Sequence, residues 1–170
     1  FAHVRARVLA WSDPFSVIEN EGYQITQSLF AIGTGGWFGS GIGQGMPYKI
    51  PVVEEDFIFS AISEELGVLF AVLLIFVYIS CFYMIICLQD SYYKLVALGL
   101  GTVLMFQVFL SIGGAVKFIP STGVTLPFIS YGGSSLLTSF MMWAIIQGMY
   151  LKRGDEVVEN DSKDNKEKAK

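Results

Sequence analysis

Apolar residues in this chain are gathered into runs rather than spread along it. Positions 66–88 read LGVLFAVLLIFVYISCFYMIICL, with no charged residue. A bilayer core takes about 20 mostly apolar residues as one helix, because backbone polar groups cannot stay unpaired in hydrocarbon. This run therefore predicts a membrane span over 66–88. The polar stretch QDSYYK at 89–94 predicts a short turn with interfacial tyrosines. Positions 95–112 supply a second apolar run, in which Gln107 is the strongly polar exception, so the two runs predict a helical hairpin through the membrane. Positions 134–151 predict a third span, shorter and less apolar than the first. Between the second and third, 113–133 holds Pro120, Pro127 and several glycines, which break helices and predict a loop at one membrane face.

Polar sequence flanks these runs. Lys152 and Arg153 stop the third span, and 152–170 is charged enough to predict a disordered, solvated cytoplasmic tail. Upstream, 1–65 predicts a long loop at the opposite face. Within it, GYQITQSLF at 22–30 suits a short amphipathic helix, and GTGGWFGSGIGQG at 33–45 suits a flexible re-entrant or juxtamembrane loop. That loop lacks the spacing of a nucleotide-binding glycine motif. Lys94, Lys152 and Arg153 fall on one side of the membrane, and Lys49 and Lys117 on the other. The positive bias places the tail inside the cell and the 113–133 loop outside.

Composition narrows the class. Hydrophobic residues make up 53% of the chain and charged residues 15%, against about 25% charged in soluble domains. A net charge of -4 without a basic cluster argues against a nucleic-acid partner. Cys81 and Cys87 lie in or at the end of one apolar run and read as small packed side chains. His3 is the single histidine, so neither a hydrolytic triad nor a His/Cys metal centre has support. The chain opens at Phe1 without a signal peptide pattern and is expected to be the carboxy-terminal part of a longer protein.

Candidate chemistry gathers at the membrane boundary. In DFIFSAISEELG, Asp56 precedes the longest span, and helical spacing puts Asp56, Ser60 and either Ser63 or Glu64 on one face. A partly desolvated carboxylate there would have a raised pKa and could act as a general base. The other reading of Asp56 is a helix cap. Glu54, Glu55, Glu64 and Glu65 read as solvated boundary charges or first-turn residues, and the carboxylates on either side of the apolar segment could hold a divalent cation. Lys117 suits either attraction of an anionic head group, such as a diphosphate, or snorkelling to the interface. Tyr131, Gly132, Gly133, Ser134 and Ser135 form a turn into the last span.

The order of GYQITQSLFAIGTGG, GSGIG, DFIFSAISEELG and IPSTGVTLPFISYGGSS resembles the FtsW/RodA/SpoVE family of cell-shape, division and sporulation proteins, over about positions 7–150. The last segment, PxxGxxLPFxSYGGSS, is long and specific. The resemblance implies an all-α polytopic protein of the bacterial cell membrane. It would have about ten transmembrane helices of bilayer length and cytoplasmic termini, and this chain would supply the last three. It also implies a peptidoglycan glycosyltransferase that polymerises lipid II beside a class B penicillin-binding protein. Asp56 matches the family's essential aspartate, which favours the base over the cap. The candidate substrate-binding positions are Lys117, Gln27, Ser130, Tyr131, Gly132 and Gly133. The chain departs from the family pattern at Val52, where Glu is usual, Glu55 (Thr), Ser111 (Asn) and Lys117 (Gly). Rival readings for the same residues are a lipid II flippase and a non-catalytic scaffold for the penicillin-binding protein.

Overall fold

A computed structural model describes residues 2–18, 22–87 and 91–168, and no strand occurs among them. Five α-helices follow one another: α1 (Ala2–Ser12), α2 (Gly22–Gly35), α3 (Ile58–Ile86), α4 (Ser91–Ala115) and α5 (Gly133–Lys168), with a 3-10 turn at Pro47–Lys49. Packing is sequential, since α2 lies on α3, α3 on α4 and α4 on α5. α3 and the 92–115 stretch of α4 are long and apolar enough to cross a membrane. Only 11% of the most apolar window of α3 and 28% of that of α4 is buried. Leu69, Leu73, Phe76 and Val77 are accordingly exposed, as on helices whose apolar surface is covered by lipid or further helices.

The elements differ from the sequence expectation at their ends. The 1–65 loop contains α1, α2 and the start of α3. The apolar helix begins at Ile58 rather than at 66, because Ala61, Glu64, Glu65 and Leu66 are good helix formers. Gly67, at φ 89° and ψ 164°, then breaks the helix. Of the expected 89–94 turn, Gln89 and Asp90 lie outside the described residues, as does Leu88, and Ser91–Lys94 already belong to α4. The backbone of 152–168, expected as a disordered tail, continues α5 as helix.

Tertiary structure explains the glycine-rich segment. Instead of hanging free, residues 36–41 are spliced into the break in α3. Val68 donates its N–H to the Gly36 carbonyl at 2.9 Å, and Ser40 and Gly41 donate theirs to the Glu64 and Glu65 carbonyls at 2.9 and 3.0 Å. The loop thus pairs backbone groups that the interrupted helix leaves open, as burial at a membrane boundary demands. A Cβ on Gly67 would collide with the Trp37 carbonyl and the Gly39 amide nitrogen.

At the other end of the packing, a fully buried Ser28 hydroxyl meets Ser60 at 2.6 Å and donates to the Ala115 carbonyl at 2.8 Å. These bonds tie α2, α3 and the end of α4 together beside an apolar cluster that includes Ile25, Ala31, Ile50, Phe57 and Phe59. A second cluster, with Ile85, Ala97, Leu104 and Ile146, joins α3, α4 and α5.

Candidate functional site

Asp56 lies just ahead of α3 but does not cap it. The N-cap position is Phe57, without a side-chain cap bond, which removes the capping role as the reason for this carboxylate. Asp56 instead lines a small cleft with Ser111 and Gly114 of α4 and with Ser121, Thr122 and Gly123 of the following loop. Gly123 has φ 71°, a left-handed conformation that glycine takes without penalty. The point where a Cβ would stand on Gly123 is 3.5 Å from Asp56 Oδ2 and 3.8 and 3.9 Å from Arg7 Nη1 and Nη2. Arg7 is positioned there by its bond to the Ser121 carbonyl, at 3.3 Å.

This setting acts on the Asp56 carboxyl in two directions. Burial holds its pKa above the usual carboxylate range, and the Glu55 charge adds to that, while the Arg7 guanidinium works the other way. The product is a half-buried carboxylate with a cation beside it and an opening on the boundary end of an apolar helix. Ser111 contributes a buried hydroxyl without a partner on the wall of the same cleft. Arg7 does not stand out in the sequence, and Ser111 does so only as a departure from the family pattern, since both come to Asp56 from distant elements.

The other expected residues fall in separate places around the same segment. Ser130, Tyr131, Gly132 and Gly133 line a cavity of about 440 Å³ together with Glu54 and Ile58. Tyr131 N–H donates to the Glu54 carbonyl at 2.8 Å, so the SYGG turn is fastened to the residues just before Asp56. Ser130 is buried and its hydroxyl accepts the Leu126 N–H at 2.8 Å, which makes it a structural part of the turn. Gln27 lines a different cavity, of about 280 Å³, with Glu64, Gln44 and Lys49. Glu64 is 7% exposed and therefore not the solvated charge expected of it.

Lys117 is set apart from Asp56. Its backbone is left-handed, φ 61°, and it ends α4: Lys117 N–H bonds to the Gly114 carbonyl and Phe118 N–H to the Gly113 carbonyl, at 3.3 and 2.8 Å. These are the two bonds of a Schellman motif, whose left-handed position is most often glycine. Phe118 also meets Phe109 of α4 edge-on, with ring centroids 6.0 Å apart. The Lys117 ammonium reaches the Ser12 carbonyl at 3.5 Å, and its own carbonyl accepts the Trp11 indole N–H at 3.1 Å. Among the described residues, no group of three or more His, Cys, Asp or Glu could hold a metal ion.

The model for the cell cycle protein family FtsW/RodA/SpoVE matches residues 2–153. A peptidoglycan glycosyltransferase RodA of Mycobacterium tuberculosis is 47% identical over 150 residues, 86% of this chain and 32% of that relative. Two proteins named probable peptidoglycan glycosyltransferase FtsW are also similar. That of Bacillus subtilis is 43% identical over 138 residues, 78% of this chain and 34% of the relative. That of Saccharophagus degradans is 40% identical over 149 residues, 82% of this chain and 38% of the relative. The chain thus spans about a third of the length of the curated relatives it matches.

Proposed function

Given that the chain belongs to the FtsW/RodA/SpoVE family, we propose that it works within a peptidoglycan glycosyltransferase that polymerises lipid II, with Asp56 as the general base. The observation that carries this reading is the placement of Asp56: a half-buried carboxylate that caps nothing, held beside Arg7 at the end of an apolar helix. In the step proposed, Asp56 takes the proton of an acceptor sugar hydroxyl as its oxygen bonds to the donor's anomeric carbon. The bond from that carbon to the lipid diphosphate breaks, and the diphosphate leaves with the electron pair. A raised pKa brings the base nearer to neutral pH, where it is a better proton acceptor. The boundary position suits a substrate whose tail stays in the bilayer while its sugars stand in water.

On this reading α3, α4 and the first half of α5 are the last three spans of an about ten-helix bundle, each near bilayer length, in the bacterial cell membrane. The end of α5 would be cytoplasmic, and a class B penicillin-binding protein would take the glycan product. The test is polymerisation of purified lipid II by the full-length protein with its penicillin-binding partner. Wild type should make polymer, and equally well folded Asp56→Asn should make none. Equal polymer from both would remove Asp56 as the base. Normal lipid II translocation without polymer in wild type would favour the flippase.

A further inference from the structure

Gly123 turns bare backbone toward the proposed base. Its φ of 71° is open to glycine and, among residues with side chains, most readily to asparagine and aspartate. Packing against its neighbours does not demand glycine in the same way. A Cβ there would meet Asp56 Oδ2 at 3.5 Å and the two terminal nitrogens of Arg7 at 3.8 and 3.9 Å, which are ordinary contact distances. A methyl would therefore fit, but it would stand on the approach to both charged groups. Gly67 is the contrast, since a Cβ on it would run into backbone.

All three groups can be reached from outside, for Gly123 and Arg7 are exposed and Asp56 is half-buried. Among the described residues Arg7 gives one hydrogen bond, the 3.3 Å one to the Ser121 carbonyl, so most of its N–H donors remain for another acceptor. The cleft that Asp56 and Gly123 line has about 10 Å³ of free space, room for about one water-sized group and not for a ring. A carboxylate that accepts, a guanidinium that only donates and space for one small group together suit a hydroxyl. It can give its proton to the first and receive a bond from the second.

We propose that Gly123 and Arg7 complete a seat for the acceptor hydroxyl: the bare Gly123 backbone lets its oxygen come up to Asp56, and Arg7 donates a hydrogen bond to that oxygen. The bond from Arg7 fixes one lone pair and leaves another to attack the anomeric carbon. The oxygen passes its proton to Asp56 as it bonds to that carbon, and the diphosphate leaves with the electron pair of the bond that breaks. The seat rests on the glycan-polymerising reading above and adds to Asp56 two residues from separate elements, α1 and the loop after α4.

The experiment is lipid II polymerisation by the full-length protein with its penicillin-binding partner, resolved into KM and kcat across pH, with the unfolding temperature of each variant measured alongside. Gly123→Ala and Gly123→Asn should each lower kcat about a hundredfold and leave KM for lipid II within about threefold, because displacing a reacting atom by about 1 Å has an effect on that scale while the rest of the substrate still binds. If Gly123 serves only the turn, Gly123→Asn tolerates the left-handed backbone and would recover both unfolding temperature and kcat relative to Gly123→Ala. That recovery would overturn the seat. Arg7→Ala should lower kcat about tenfold on the pH plateau, where Asp56 is ionised in wild type and variant alike, the scale of one lost hydrogen bond to a charged group. Arg7→Lys keeps a donor and should regain part of that loss. A plateau kcat equal to wild type in Arg7→Ala would reduce Arg7 to its field on Asp56 and overturn its place in the seat. Since Arg7 is exposed, its variants decide the matter should those of Gly123 fail to fold. Wild type without polymer would overturn the glycan reading and the seat with it, whereas active wild type with unchanged variants overturns the seat alone.

Discussion

Ser28 and Ser60 share a 2.6 Å hydrogen bond in which the direction is fixed by a third group. Ser28 has one proton and gives it to the Ala115 carbonyl at 2.8 Å, so Ser60 must be the donor to Ser28. The two serines are therefore unequal. Ser28→Ala strands both the Ala115 carbonyl and the Ser60 hydroxyl in a buried site, and should cost about 2–4 kcal/mol, whereas Ser60→Ala should cost about 1 kcal/mol. Unfolding of both variants in detergent checks the order, and equal losses would contradict it.

Gly67→Ala should be among the most damaging changes outside the candidate site. The residue needs φ 89° and has the Trp37 carbonyl and Gly39 amide where a methyl would go. Backbone strain and lost loop bonds together should exceed about 3 kcal/mol, which would show as loss of folded protein after membrane extraction.

The pH dependence of polymerisation should follow the charges around Asp56. With Asp56 as the proposed base, its raised pKa means that activity is lost as pH falls through a value above the ordinary carboxylate range. Arg7→Gln removes the group that lowers this pKa and should move the acid limb of the rate profile to higher pH. Glu55→Gln removes one that raises it and should move the limb to lower pH. Shifts in the same direction would refute the electrostatic account.

Stability at Asp56 runs against activity. A carboxyl whose folded pKa is raised stabilises the fold in its protonated form, below the unfolded pKa, and that contribution is lost as pH rises through the folded pKa. At neutral pH, Asp56→Asn should then unfold at the same temperature as wild type or higher while polymerisation is abolished. A clear fall in unfolding temperature would mean that the carboxylate holds the cleft together.

Lys117→Gly should leave α4 better ended than it is now. Glycine removes the penalty of a left-handed side-chain residue, about 1–2 kcal/mol, and gives up only the long 3.5 Å bond to the Ser12 carbonyl. The unfolding temperature should hold or rise. A parallel measurement of lipid II affinity tests the diphosphate reading of Lys117, which an unchanged affinity would remove.

The sequence by itself determined the apolar helices and the family. Runs such as 66–88 declare themselves, because in a membrane the backbone must pair within its own segment and composition alone marks where that happens. Asp56 was also legible, as a carboxylate at the edge of such a run within a family motif. What the sequence left open is whatever depends on contacts between distant segments. Arg7 reaches Asp56 only because the 121–123 loop folds back over α1, Glu64 is buried only because residues 36–46 are laid across the break at Gly67, and Lys117 acquires its helix-ending role from the turn of α4. Only the tertiary structure could decide these, because burial and charge proximity are properties of packing and no local pattern of residue types encodes them.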